Sequence, residues 1–292
     1  MNMILAAALL LSAQEKVELK WTFEKGRELT YKQTQKQTLE IFGSAMEQET
    51  SQIQGWKVTD VAGDGTATIE TTCLAVAMKA SGAMEFEYDS DKDKELPENP
   101  QVRMMAKMVG KTFTIKMTPK GKILESKGVD ALLDDMLKEF GDDAGPMREM
   151  LKQMLSDDTM KSSMQQMAPM LPQAPVAKGD KWKDEFTLKF PMIGGMKFVV
   201  ASTLKDVEAG EAKVEQDWTI ELKGGDDNEN PLGAAFKITD SKGKARLSFA
   251  LEKGHFVSQQ IEMDMTMEAN GQAIPVKTRS EMKLVERPKK KF

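Results

Sequence analysis

The sequence predicts an α+β protein: two related, curved antiparallel β-sheets, each a half-barrel or open-barrel meander, with a methionine-rich helical segment between them in sequence that packs on the sheet face. Three observations carry this. Apolar and polar residues alternate with a period of two through both ends of the chain, and between residues 129 and 170 the apolar spacing changes to three and four. A turn signature also occurs twice, as Val58-Thr59-Asp60-Val61-Ala62-Gly63 running on to Ala67-Thr68-Ile69-Glu70, and as Leu204-Lys205-Asp206-Val207 running on to Gly210-Glu211-Ala212-Lys213-Val214-Glu215. Each copy follows a Lys-Gly pair, Lys25-Gly26 or Lys178-Gly179. The chain divides accordingly into a leader (1–13), a first β-rich half (14–128), a helical segment with a proline-rich connector (129–175), a second β-rich half (176–287) and a basic tail (288–292).

Ile4 to Leu11 is an unbroken apolar run of signal-peptide length, and Leu11-Ser12-Ala13 before Gln14 offers a small residue at a cleavage point. The run is too short to span a bilayer. No Lys or Arg precedes it, which departs from the signal pattern; a misassigned start or a short buried strand is the competing reading. Export, to the periplasm or the outside of a bacterial cell, is the expectation, with no transmembrane span in the mature chain.

In the first half Val17, Leu19, Trp21 and Phe23 alternate with Glu18, Lys20, Thr22 and Glu24, giving one apolar and one charged face, as a half-solvated antiparallel strand requires. Ile69 to Val76 reads as a strand that buries Cys73 as a small hydrophobe. Asp89-Ser90-Asp91-Lys92-Asp93-Lys94-Glu95 carries alternate carboxylates like a calcium loop but has Lys94 at the sixth position and Pro100 at the twelfth, so it reads as a solvated acidic loop. A short helix is expected from about Asn99 to Val109, started by Pro100, and a strand at Phe113-Ile115-Met117, turned by Pro119-Lys120-Gly121.

The middle segment places Leu132, Leu133, Met136, Leu137 and Phe140, then Met147, Met150, Leu151, Met154 and Leu155, then Met160, Met164 and Met167 on helical faces. Pro169, Pro172 and Pro175 follow and force an extended connector. Strands resume at Phe186-Leu188-Phe190, Val214 to Leu222, Ala245 to Leu251 and Ile261-Met263-Met265-Met267, with turns at Gly194-Gly195, Gly224-Gly225, Lys253-Gly254 and Asn270-Gly271.

Composition excludes several functions. With 41 Lys+Arg against 46 Asp+Glu, interleaved, the chain offers no concentrated basic face for nucleic acid. One His, His255, and one Cys cannot supply a zinc site, and no nucleophile elbow, phosphate loop or dinucleotide fingerprint occurs. His255 reads as an exposed turn residue. No catalytic residue, metal ligand or cofactor is assigned, and a non-enzymatic role is expected.

The leader, Trp21-x-Phe23-x-Lys25-Gly26 running into long strands, Met117-Thr118-Pro119-Lys120-Gly121-Lys122-Ile123-Leu124, and Lys178-Gly179-Asp180-x-Trp182 together resemble an uncharacterised family of secreted bacterial proteins, a domain of unknown function, over nearly the whole mature chain. More distantly, curved strands capped by helices are similar to the lipoprotein-carrier half-barrel folds of the bacterial envelope, which hold acyl chains between sheet and helices. Both resemblances imply a fold, and neither carries over a functional residue.

The 23 methionines suggest adaptable apolar surface. The expectation is an exported carrier or sensor of a lipid-like hydrophobic ligand, lined by Met147, Met150, Met154, Met164 and Met167 with Trp21 and Trp218. The alternative is a structural or protein-partner-binding envelope module with no ligand cavity; copper held by thioethers is third.

Overall fold

The structure is a computed structural model, and it describes residues 15–41, 44–129, 157, 160–161, 164–165, 171–190, 194–223, 236–269 and 271–287. The strands are β1 (Glu28–Ile41), β2 (Ser44–Val61), β3 (Ala67–Gly82), β4 (Phe86–Asp89), β5 (Thr112–Met117), β6 (Ile123–Lys127), β7 (Lys181–Phe190), β8 (Gly194–Glu208), β9 (Glu211–Lys223), β10 (Phe236–Ala250), β11 (His255–Ala269) and β12 (Gln272–Leu284), with one short helix, α1 (Pro100–Lys107), between β4 and β5. All pair antiparallel in the order β6-β5-β3-β2-β1-β12-β11-β10-β9-β8-β7, with β4 beside β3.

The expectation of two sheets is corrected by the β1–β12 ladder, which runs from Tyr31 opposite Leu284 to Leu39 opposite Val276 and joins the halves into one open sheet. Left apart, each half would expose a row of unpaired backbone donors and acceptors; pairing satisfies both. The repeated signature is nevertheless visible as matched geometry. Gly26 N–H donates to Val58 O (2.8 Å) and Val58 N–H to Arg27 O (3.0 Å), while Gly179 N–H donates to Leu204 O (2.7 Å) and Leu204 N–H to Asp180 O (3.0 Å). A register shift follows in each copy, between Val58 and Asp60 and between Leu204 and Asp206.

The sheet is bent on itself. Trp21 N–H donates to Pro119 O in the β5–β6 turn, and the next residue, Thr22, donates to Gly254 O in the β10–β11 turn. Strands β5 and β10 are six positions apart in the sheet, which at ~4.8 Å per step would separate them by about 29 Å if it were flat. One dipeptide bridging both turns requires strong curvature. The residues enclosed at this end form the main core, in which Leu19 and Trp21 meet Ile115, Met117 and Ile123 from one flank and Leu204, Val214, Leu247 and Phe249 from the other. The face bearing these side chains is therefore the concave one.

Residues 15–24 are not a sheet strand, contrary to the alternation. Only Val17 bridges, to Val176. The period of two holds because the extended segment lies over the open end of the bend, pointing Leu19 and Trp21 inward and Glu18 and Lys20 to solvent. His255 is also corrected: it is 5% exposed, its Nδ1 3.0 Å from Phe256 O. Gly194-Gly195 belongs to β8, opposite Phe190 and Lys189, rather than to a turn. The helices expected between 129 and 170 fall almost wholly outside the described residues; Gly224-Gly225, the leader and the basic tail do so entirely.

Candidate functional site

Paired residues in an antiparallel ladder project to the same side, so the registers define the inner face row by row. Beside the packed core runs a row of Gln52, Gln33, Met282, Gln259, Leu247, Val214 and Leu204 across β2, β1, β12, β11, β10, β9 and β8. The next rows away from the core carry Gln35, Ser280, Ile261 and Ala245, and then Gln37, Thr278, Met263, Gly243, Trp218, Val200 and Asp184. The inner face thus has a neutral, amide-rich centre on β1 and β2 and an apolar flank on β8 to β11. On the other flank α1 covers β3, burying Val102 and Ala106 against Cys73, Val76 and Met78.

The apolar flank borders a recess. A concavity of about 360 Å³ is lined there by Phe198, Trp218, Ile220, Ile261, Met263 and Met265, with Gln33, Gln35 and Gln37 on its far wall. Its size lies within the range of about 300–1,000 Å³ typical of small-molecule sites. Phe186 stacks on Phe198 at 4.9 Å, and both meet Trp218 edge-on at 6.1 and 6.5 Å, which fixes the aromatic wall. Between this wall and the core a polar chain is satisfied internally: Gln216 Nε2 donates to Ser202 Oγ (3.1 Å), while Trp218 Nε1 (3.3 Å) and Gln259 Nε2 (3.4 Å) both donate to Gln216 Oε1.

The outer face is the electrostatic opposite. Lys36–Glu49, Lys116–Glu125, Lys197–Glu185 and Lys205–Glu215 pair at 2.7–3.2 Å in solvent, where water and salt screen them and leave little net stabilisation. Adjacent Asp184 and Glu185 show the contrast. Hydrogen bonds from Lys197 and Lys183 hold the exposed Glu185 carboxyl down to about 2, whereas burial on the inner face pushes Asp184 up to about 6.

Of the residues named as ligand-lining from the sequence, Trp218 lines the concavity, and Trp21 and Met164 sit in the packed core beyond it. Met147, Met150, Met154 and Met167 lie outside the described residues. The sequence reading missed Phe198, Ile220, the glutamine row and Asp184. A signal was present for the last two: Gln33, Gln35 and Gln37 share one parity of β1 while Lys32 and Lys36 share the other, and Asp184 falls on the apolar parity of Trp182 and Phe186. Among the described residues no group of three His, Cys, Asp or Glu is placed to hold a metal ion, and no helix is long and apolar enough to cross a membrane.

A family model described as a family of unknown function, DUF6263, matches residues 64–274, from the β2–β3 turn into β12 and across all the strands of the aromatic wall. The chain belongs to this family. A search of curated proteins finds no match to the DUF6263 chain. Among solved structures, a lipovitellin chain from a study of lipid–protein interactions in that protein aligns with 92% of this chain at 9% identity and a TM-score of 0.48; the DUF6263 chain spans only 26% of its length. DynF from the dynemicin biosynthesis pathway of Micromonospora chersina aligns with 95% of this chain and 88% of its own, at 8% identity and a TM-score of 0.22. OccK5 (OpdH) of Pseudomonas aeruginosa aligns with 91% of this chain and 99% of its own, at 8% identity and 0.25. At these scores none of the three bears on what the DUF6263 chain does.

Proposed function

We propose that this protein is an exported, non-enzymatic binder or carrier of a lipid-like hydrophobic ligand, held on the concave face of the sheet. The observation that carries the reading is the concavity itself: a recess on the inner face bounded by a packed aromatic wall, Phe198, Trp218 and Ile220, and by the partly accessible Met263 and Met265. Polarizable thioethers at Met263 and Met265 suit a ligand of variable shape. Export rests on the apolar run at residues 4–11. The non-enzymatic reading rests on the sequence, in which no nucleophile, base and orienting group occur together in a recognisable pattern.

Two measurements test this. Protein purified from its native host is extracted with organic solvent and the extract analysed by mass spectrometry, and the purified chain is titrated with N-phenyl-1-naphthylamine, followed by fluorescence. Binding that weakens in Trp218→Ala is expected. A host preparation free of lipid together with no probe binding would sink the proposal. It would favour the second reading, a partner-binding envelope module, for which β7 offers an unpaired edge among the described residues.

A further inference from the structure

Ligand charge is legible in the same surface. Among the described residues fourteen line the concavity and none of them is charged, whereas the two comparable depressions whose lining includes outer-face residues hold lysines, glutamates and aspartates. Along the inward register positions of β1 to β3 and β7 to β12, no lysine or arginine occurs among the described residues, and the one carboxylate is Asp184. The polar side of the concavity is made of primary amides and hydroxyls: Gln33, Gln35 and Gln37 on β1, Thr278 and Ser280 on β12. The three β1 amides make no hydrogen bond to another described residue, so their donors and acceptors are available to a guest. They run parallel to the row of Ile261, Met263 and Met265, with only β12 between.

We infer that the groove takes a single-chain amphiphile with an uncharged, hydrogen-bonding head, such as an ester or alcohol, its chain against the Met263 wall and its head on the glutamine row, and that it discriminates against carboxylate and phosphate heads. The inference rests on the ligand-binding reading above. The physics is desolvation. An amide row replaces the hydration of a hydroxyl or ester bond for bond, but an anion brought onto it loses water without gaining a counter-charge. Asp184, two strands from Trp218 and so about 10 Å away, adds repulsion rather than relief.

Isothermal titration of the full chain at pH 8 with 1-lauroylglycerol and with laurate, both below their micellar concentrations, tests this at equal chain length. The glycerol ester is expected to bind about tenfold or more tightly than laurate, a difference of ~1.4 kcal/mol or more. Gln35→Lys, and independently Gln37→Lys in case the first variant does not fold, places a cation on the row and is expected to close or invert that ratio. Equal binding, or tighter binding of laurate, overturns the inference and leaves the carrier reading standing. So does a ratio that neither folded lysine variant changes, because the head then lies elsewhere. If neither compound binds, the inference is overturned too, and the lipid extraction and naphthylamine titration decide whether the carrier reading falls with it.

Discussion

Gly243 and Met263 face each other across the β10–β11 ladder with no space between them: a Cβ on Gly243 would lie 2.5 Å from Met263 Cε and 2.9 Å from Trp218 Cβ. The missing side chain lets Met263 lie across β10 against Trp218, so the methionine wall and the aromatic wall form one surface. Gly243 has no positive φ, and a substitution there acts through its side chain alone. Gly243→Val should push Met263 into the concavity, costing about 1–3 kcal/mol in urea unfolding as an overpacked site. Naphthylamine binding should weaken about tenfold, or ~1.4 kcal/mol. Unchanged binding in the folded variant would place the ligand away from this wall.

Trp21 holds the end of the bend that the N-terminal segment covers. Its ring stacks on Phe23 at 5.9 Å, tilts against Trp56 at 5.9 Å and meets Phe249 edge-on at 5.8 Å, thereby linking the N-terminal segment to β2 and β10. Its Nε1 is buried without an acceptor, so packing has to offset an unmade hydrogen bond. Trp21→Ala should lose about 3–5 kcal/mol in denaturant unfolding. Trp21→Phe should lose clearly less, since it keeps a ring and removes the orphaned donor. Equal losses would mean that the ring contacts contribute little.

Gly254 marks where that segment docks on the β10–β11 turn. Its φ is +58°, and a Cβ would stand 2.6 Å from the backbone N of Thr22, which donates to Gly254 O. Gly254→Val combines left-handed strain of about 1–2 kcal/mol with displacement of this hydrogen bond. Amide exchange of Thr22 should accelerate in the variant, along with a lowered urea midpoint. Normal protection at Thr22 would show that the segment is held by Leu19 and Trp21 alone.

The strands were legible because their alternation follows from a half-buried pleat, and the doubled signature survives as the matched bonds at Gly26 and Gly179. The joining of the halves was not. Tyr31 and Leu284 pair across nearly the whole chain, and no local pattern encodes which edge meets which. The segment 15–24 misled because an extended chain laid over a core shows the same period as a strand in a sheet. Alternation also says which residues face inward but not which of those line a recess. Trp21 and Trp218 look alike in sequence and both are buried, yet one is packed in the main core and the other lines the concavity.

Cys73 lies on the inner face, 4% exposed, within the cluster formed by Val76, Met78 and Val102, and Gln52 Nε2 approaches its Sγ at 3.7 Å. Burial pushes the thiol up, which lowers its thiolate fraction as well as its access. Ellman's reagent should therefore leave the folded chain essentially unmodified over an hour at pH 8 and label one thiol per chain in urea. Fast labelling without denaturant would mean that α1 opens from β3.

Asp184 gives a pH dependence whose sign is fixed by its surroundings. Burial raises its pKa from 3.8 to about 6, so between those values the folded chain holds a proton that the unfolded chain has released. Its contribution to stability is fully present below about pH 4 and is lost as pH rises through about 6. Glu185 runs the other way, its contribution being lost as pH falls from 4.5 towards about 2, and burial lowers the pKa of His255. Both are shared by Asp184→Asn, so comparing the two proteins isolates Asp184. Urea unfolding at intervals from about pH 4 to pH 7 should show the wild type losing ground to the variant between about pH 4 and 6, with a level difference above that window. A difference that stays flat throughout would mean that the Asp184 carboxylate is hydrated and the inner face near β7 is wetter than its apolar neighbours imply.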